Sequence, residues 1–286
     1  DPNLFLSALA DKRSFEGTVN NGLVNLNFGP INQDQFLLLG NPYPSPISLS
    51  DFVVANTGLN GTVYFWDHTS TTGFQTPVPS NNNQDFASWN LMGSTNATGG
   101  NMPDDFLQST QGFFASVVSG APAASTANVR FTNSMRRVAN NQQFFKNGVQ
   151  SETRQRVWLT LSSNSGYYNQ TLVGMAPGAT MGRDRLWDGR KYKGHSYLSL
   201  YSQINQEPYA IQGLPSFWKA DQELLIPLGV DAWHQGHYRI RLDSLYNWPG
   251  NYGVYLLDSA QDWITELREK DFYFFVDSLQ SFQNRF

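Results

Sequence analysis

Alternation of apolar and polar residues with a period of two recurs along this chain and constrains its fold more than any other feature. In residues 238–243, Tyr238, Ile240 and Leu242 alternate with charged residues, which is typical of a strand with one buried face. The helical period is almost absent, and only Trp263–Lys270 is predicted to form a helical turn or two. Turn pairs separate the alternating runs at Asn21-Gly22, Asn60-Gly61, Asn147-Gly148 and Pro249-Gly250. The pattern predicts an all-β protein.

The length of 286 residues favours two domains of about 130 to 150 residues each over one large sandwich. We expect two tandem β-sandwiches of the Ig-like or jelly-roll type, 1–140 and 154–286, joined by a polar linker, 141–153. A long polar loop, 67–108, is predicted within the first domain and is rich in Asn, Ser, Thr and Gly. Strands of the first domain are expected near 14–19, 23–28, 35–40, 62–66, 111–118 and 127–132.

The composition narrows the function classes. Charged residues make up 15% of the chain, against about 25% in ordinary soluble domains, while aromatic residues reach 14%. This polar but weakly charged background with many aromatic residues is typical of a β-rich secreted protein. The net charge of −4 and the pI near 5.5 argue against nucleic-acid binding. No apolar run approaches the roughly 20 residues of a membrane helix, so membrane insertion is not expected.

The absence of cysteine excludes disulfides, thiolate metal sites and cysteine nucleophiles. No catalytic, cofactor-binding or metal-binding motif is recognisable, since the chain lacks a nucleophile elbow, a P-loop and a dinucleotide-binding glycine motif. His234 and His237 would point to opposite faces of a strand, and we interpret them as turn and strand-start residues. The sequence therefore predicts no enzyme, and a hydrolase with two carboxylates facing one another across a groove stays the open alternative.

The segment Leu39–Ile47 (LGNPYPSPI) ends a buried strand in a rigid, proline-rich corner. It resembles the GNPYPSPI motif of large Bacteroidetes surface proteins exported by the type IX secretion system. Further segments that resemble this family follow in order: VYFWD (63–67), QGFFASV (111–117), VRFTNSMR (129–136), AIQGLP (210–215), IPLGV (226–230) and VYLLD (254–258). The resemblance implies an extracellular or cell-surface, adhesin-like module. It also implies that the family's sorting domain, which would follow Asn284-Arg285-Phe286, is absent, either because it is removed on export or because it lies outside this sequence. Leu4–Ala10 is too short for a signal peptide and lacks a basic flank before it, so Asp1 is expected to be a processed or trimmed start.

Three Asp-Ser-apolar tripeptides resemble the O-glycosylation acceptor of this phylum, with Ser244, Ser259 and Ser278 as the acceptors. The alternative interpretation is ordinary strand-end and turn chemistry, and the sequence leaves both open. Six tryptophans near predicted loops are candidates for stacking on sugar rings or, alternatively, for closing the ends of the sandwiches: Trp66, Trp89, Trp187, Trp218, Trp233 and Trp248.

The leading functional hypothesis is a non-catalytic structural or adhesive module of a bacterial surface protein, including a subunit of an extracellular filament or sheath. Its expected partners are other copies of itself or neighbouring domains of the same surface protein. Unpaired strand edges can accept a strand from a neighbour, and Asp1–Leu9 or the terminal strand around Phe282 is the expected donor. The alternative is a carbohydrate-binding module that uses the loop tryptophans, with glycans as its partners.

Overall fold

A computed structural model describes residues 16–66, 86–96, 102–118, 120–122, 125–138, 153–192, 198–216 and 223–286. The predicted all-β class is confirmed, because almost every regular element in these ranges is a strand. Three predicted features lie outside the described residues: most of the linker, the proposed strand donor Asp1–Leu9, and Trp218.

The first half of the chain builds one five-stranded sheet and two two-stranded sheets. The five-stranded sheet has the order β2-β8-β4-β5-β6, and β1 pairs with β9 while β3 pairs with β7. The elements are β1 (Val24–Ile31), β2 (Phe36–Gly40), β3 (Ile47–Ser48), α1 (Leu49–Ala55), β4 (Leu59–Trp66), β5 (Phe86–Trp89), β6 (Ser94–Thr95), β7 (Phe106–Leu107), β8 (Gly112–Val117) and β9 (Ser125–Phe131).

The family-like corner after β2 is held by one buried carboxamide. Asn41 Nδ2 donates to Ser45 O at 2.9 Å and to Leu107 O at 3.1 Å, while its Oδ1 accepts the N–H of Tyr43 at 3.0 Å. The Tyr43 ring is buried, and its hydroxyl donates to Gly22 O at 2.5 Å. Because prolines cannot donate backbone hydrogen bonds, this side chain organises the corner in their place. The motif therefore has a structural role in this fold.

The short helix α1 follows this corner and was not predicted. Ser48 caps its first turn by accepting the Asp51 N–H. Asn56 ends it, donating to Phe52 O and exchanging hydrogen bonds with the backbone of Arg130 on β9. At 7 residues the helix is too short to form alone. Burial of its apolar face, including Phe52, in the core of the first half stabilises it instead.

The second half builds one nine-stranded sheet of order β19-β16-β10-β11-β14-β13-β15-β20, with β12 paired to β14. Its two end strands follow one another in the chain, and the rings of Phe274 and Phe282 lie 6.2 Å apart, so the sheet curls almost into a barrel. A two-stranded β17-β18 ribbon accompanies it. The strands are β10 (Gln155–Ser163), β11 (Tyr168–Ala176), β12 (Gly189–Arg190), β13 (Leu198–Ile204), β14 (Glu207–Pro215), β15 (Leu228–Ala232), β16 (Gly236–Tyr246), β17 (Tyr255–Asp258), β18 (Trp263–Glu266), β19 (Phe272–Val276) and β20 (Gln280–Phe282).

Four local expectations are wrong. The Asn60-Gly61 pair lies inside strand β4, where the pairing with β8 is irregular, rather than in a turn. Trp263–Glu266 is strand β18 rather than a helical turn, because it pairs with β17 over four residues. The expected loop 67–108 contains β5, β6 and β7, whose short runs the polar composition conceals. Within 16–19, the described part of the first expected strand, no strand forms.

The segment 177–192, here called the strap, runs from β11 in the second half across the first half. Arg185 donates from its guanidinium to Val53 O and Leu59 O, both at 3.0 Å. Gly61 N donates to Arg185 O at 3.0 Å, and Thr62 Oγ1 donates to Asp188 O at 3.3 Å. The strap therefore fixes the position of β12 against the outer face of the five-stranded sheet.

Candidate functional site

Aromatic rings cover the outer face of the five-stranded sheet. Strand alternation turns Leu37, Phe113 and their neighbours into the core of the first half, so every second residue faces away from it. Four outward positions on adjacent strands carry rings: Phe36 on β2, Phe114 on β8, Tyr64 on β4 and Phe86 on β5.

The second half lies across these rings and encloses a partly open cavity of about 280 Å³, here called the aromatic pocket. Pairing of β12 with β14, and the hydrogen bond from Lys191 N to Pro208 O at 2.8 Å, place Arg190, Lys191 and Tyr192 there. The pocket is lined by Phe36, Tyr64, Phe86, Ser88, Phe114, Arg190, Lys191, Tyr192 and Ala210.

The lining rings meet edge to face. The Tyr192 ring centroid lies 4.4 Å from that of Phe36 and 5.1 Å from that of Tyr64. Phe86 and Phe114 meet at 5.6 Å, with ring planes at 79°. These separations and angles are those that aromatic quadrupoles favour. The rings therefore support one another, and the pocket is preformed.

The charged and hydroxyl groups in the wall are already engaged by the protein. Arg190 pairs with Asp34 at 3.2 Å and with Glu207 at 2.6 Å. The Tyr64 hydroxyl donates to Arg190 O at 3.0 Å, and the Tyr192 hydroxyl donates to the Ser116 hydroxyl at 3.2 Å. A ligand would therefore meet little uncompensated charge.

Lys191 is held in a similar way, because its Nζ donates to Asn169 Oδ1 at 2.8 Å. Burial lowers the pKa of the Lys191 ammonium to about 8, and the negative charge of Asp231 opposes this shift. Burial also raises the pKa of Tyr64 well above its ordinary value and raises that of Tyr192. Both tyrosines are neutral donors at physiological pH.

Ser88 is the exception among the polar lining residues. It follows Phe86 by two positions on β5, so its side chain shares the outer face. Across the described ranges, its hydroxyl makes no hydrogen bond to another residue. The pocket thus offers a ligand one uncommitted donor and acceptor.

The five candidate tryptophans that the structure describes do not form a row. Trp66 is 57% exposed at the end of β4 and contacts Phe86 at 5.6 Å, beside the pocket. Trp89 is buried in the core, Trp187 packs against a smaller apolar cluster, and Trp248 donates from Nε1 to Tyr252 O at 3.2 Å. Trp233 is 38% exposed on the second half. Of the candidates that the structure describes, only Trp66 makes a ring contact with a pocket residue.

The three candidate glycosylation serines are all exposed. Ser278 lies in the bend after β19, as the strand-end expectation required. Ser259 follows β17, and its hydroxyl donates to the carbonyls of Asn284 and Arg285 at 3.1 and 2.9 Å. Ser244 lies within β16 rather than at its end, at a bulge opposite Trp158. Strand β16 continues past Asp243 because the bulge absorbs the extra residue.

Neither a metal cluster nor a membrane-spanning helix is found in the described ranges. No group of three or more potential metal ligands occurs there, and the His237 ring packs against Phe275 at 4.8 Å. No helix in those ranges has the length and apolar character needed to cross a bilayer.

Sequence reasoning missed the pocket residues, although a signal for them existed. Tyr64-Phe65-Trp66 and Phe113-Phe114 place large apolar side chains on both faces of their strands. Such runs indicate that the second face is also covered. What covers it is Tyr192, a residue 128 positions away from Tyr64, and the local pattern could not reveal that.

Comparison with known proteins identifies one family. A family model described as a domain of unknown function (DUF8693) matches residues 6–286. The chain has no significant match among curated proteins or among solved structures.

Proposed function

The chain belongs to the DUF8693 family, and we propose that it is a non-catalytic binding module of an extracellular bacterial surface protein, attached to its partner through the aromatic pocket. The observation that carries this proposal is the preformed cavity of about 280 Å³ with five aromatic rings in its wall. Ligand sites are typically concave, mostly apolar and supplied with a few polar groups, and they lie preferentially between packed units. The proposal retains two sandwich-like domains, 1–140 and 154–286, with the pocket between them.

The surface location rests on the sequence. The resemblance to type IX secretion cargo of the Bacteroidetes and the low charge content of 15% support an extracellular setting. O-glycosylation at Ser278 and Ser244 fits that setting, since both residues are exposed. Ser259 is the least suitable acceptor because its hydroxyl is held by two carbonyls. Intact-mass measurement of native protein, followed by peptide mapping, tests this part; an unmodified mass of 32.2 kDa would contradict it.

The pocket favours an apolar group over a sugar. A buried sugar hydroxyl without a partner costs about 1–3 kcal/mol, and most polar groups in the wall already have partners. The carbohydrate-binding alternative would therefore depend on Trp66, which is exposed beside the pocket, more than on the pocket itself.

The test uses cells of the kind that display the native protein on their surface. Fluorescently labelled purified chain is added to such cells, and the bound fraction is compared for wild type, Phe114→Ala and Leu38→Ala. Phe114 lines the pocket, whereas Leu38, its partner across the ladder, is 67% exposed outside it. We expect Phe114→Ala to reduce binding at least about tenfold, while Leu38→Ala binds as wild type does. Equal binding by all three folded proteins would refute the proposal.

A second candidate function, assembly into filaments by strand pairing, is favoured by one edge strand. In the described part of the sheet β19 is hydrogen-bonded on one side only, to β16, and it exposes Tyr273 and Phe275 by 64% and 45%. Unpaired edges of this kind accept strands from other chains. The expected donor around Phe282 is less suitable, because β20 already pairs with β15 in its own sheet.

Sizing chromatography over a wide concentration range, with electron microscopy of native material, tests this assembly. Phe275→Lys would place a charge on the edge and abolish polymers, whereas Leu279→Lys, exposed in the bend beyond β19, would leave them intact. A chain that stays monomeric at the highest concentration removes this candidate.

A further inference from the structure

The aromatic pocket is also specific enough in size, charge and polarity to indicate its ligand, an inference that rests on the proposed binding function. We propose that the pocket binds a neutral, fused two-ring aromatic group carrying one N–H, the chemistry of an indole, and that Ser88 accepts this N–H.

Size is the first argument. An apolar cavity of about 150 Å³ accommodates one benzene ring, and the aromatic pocket measures about 280 Å³. It therefore has room for a second fused ring. The pocket is also partly open, so a ring can enter without unfolding of the wall.

The wall geometry is the second argument. Phe36, Tyr64 and Tyr192 already contact one another edge to face, as do Phe86 and Phe114. A flat aromatic ligand can extend this pattern, because its own face and edge complement the edges and faces that line the cavity. A flexible aliphatic chain would gain only the burial of its apolar surface, without these ring contacts.

Charge is the third argument. The Arg190 guanidinium is neutralised by Asp34 and Glu207, and the Lys191 ammonium donates to Asn169. A cationic ligand would find no carboxylate in the pocket lining to pair with, and an anionic one would find both basic side chains already engaged by the protein. Either ion would lose its hydration without adequate compensation, so the ligand is neutral.

The Ser88 hydroxyl provides the polar selectivity. It is the lining hydroxyl that makes no hydrogen bond among the described residues, and it lies on β5 beside the Phe86 ring. An indole N–H that enters the pocket can donate to Ser88 Oγ. A naphthalene of similar shape has no such donor, which separates the hydrogen bond from ring burial.

The experiment measures binding of indole, naphthalene and methyl glucoside to the full chain by saturation-transfer NMR and calorimetry. Wild type, Ser88→Ala and the surface control Leu38→Ala are compared. We expect indole to bind, Ser88→Ala to weaken indole about five- to tenfold, and naphthalene affinity to change less than about twofold. Leu38→Ala should leave both affinities unchanged. Ser88→Ala removes one oxygen from a small side chain, and a thermal melt confirms that the variant folds.

Two further arms separate the sources and the two proposals. If N-acetyl-tryptophanamide competes with indole, the ring can come from a tryptophan of a partner protein; if it does not, the ligand is a free small molecule. Absence of indole binding, an unchanged indole affinity in Ser88→Ala, or preferential binding of methyl glucoside would overturn the indole assignment. The cell-binding assay with Phe114→Ala is independent of the indole assay. If Phe114→Ala loses cell binding but wild type does not bind indole, the proposed function stands with another ligand. If wild type binds indole but Phe114→Ala attaches to cells as well as wild type does, only the proposed function is overturned.

Discussion

Substitution of Gly61 by alanine tests whether the strap fixes the two halves against each other. A Cβ at position 61 would lie 2.5 Å from Arg185 O and 3.0 Å from Leu186 Cα, both backbone atoms of the strap. Ordinary contact begins near 3.4 Å, so the strap must move by about 1 Å. Overpacking of this kind costs about 1–3 kcal/mol, and weakening the hydrogen bond from Gly61 N to Arg185 O adds about 0.5–1.5 kcal/mol. We expect Gly61→Ala to lower the free energy of unfolding by about 2–4 kcal/mol.

Urea denaturation followed by circular dichroism measures this change. Gly58→Ala is the matched control, because its Cβ would meet nothing within 4 Å and it should be neutral or stabilise by up to about 1 kcal/mol. Chromatographic and spectroscopic comparison of the native proteins establishes that both variants fold. If the free energy of unfolding of Gly61→Ala lies within about 0.5 kcal/mol of the wild-type value, the strap moves aside at little cost. The strap would then not be what positions β12 and the aromatic pocket.

Three other predictions concern buried polar groups. Arg285→Met should destabilise the protein by about 3–5 kcal/mol in chemical denaturation, because it leaves the fully buried Asp258 without its ion-pair partner. The control Arg241→Met breaks a more exposed ion pair and should cost at most about 1 kcal/mol. Asn41→Ala should cost about 2–4 kcal/mol in the same assay, since it removes the donor to Ser45 O in the family-like corner and to Leu107 O and Gln108 O beside it. A cost below about 0.5 kcal/mol would contradict that role. Burial raises the pKa of Asp188 to about 7, so the folded state keeps a proton that the unfolded state releases near pH 4. The free energy of unfolding should therefore fall as the pH rises from about 4 to 7, by at most about 4 kcal/mol. The slope of unfolding free energy against pH should flatten in Asp188→Asn, and an unchanged slope would show that Asp188 does not titrate in this window.

The sequence predicted the strands whose alternation is complete. Tyr238, Ile240 and Leu242 are on β16 with the expected inward and outward faces, because a period of two maps directly onto a sheet with one buried side. Failures occurred where the local signal was short or ambiguous. Helix α1 depends on tertiary burial of Phe52 rather than on helical propensity, and Trp263–Glu266 becomes a strand because β17 lies beside it.

The candidate site was less predictable than the fold. Trp66 was singled out and does lie beside the pocket, but the five candidate tryptophans within the described ranges do not form a surface. The extracellular location, glycosylation and self-association remain predictions, since they concern partners and modifications that a chain's own contacts do not record.

By itself, the amino-acid sequence determined the β class, the bend at Asn21-Gly22, the turn at Pro249-Gly250 and the alternation of Tyr238, Ile240 and Leu242 along β16. Those are local properties, set by backbone geometry and by the burial of every second side chain. Only the tertiary structure decided that β2, β8, β4 and β5 lie side by side, and that the strap carries Tyr192 across them. Strand order and long-range packing depend on contacts between residues far apart in the chain, for which no short sequence pattern codes. The aromatic pocket exists because of those contacts.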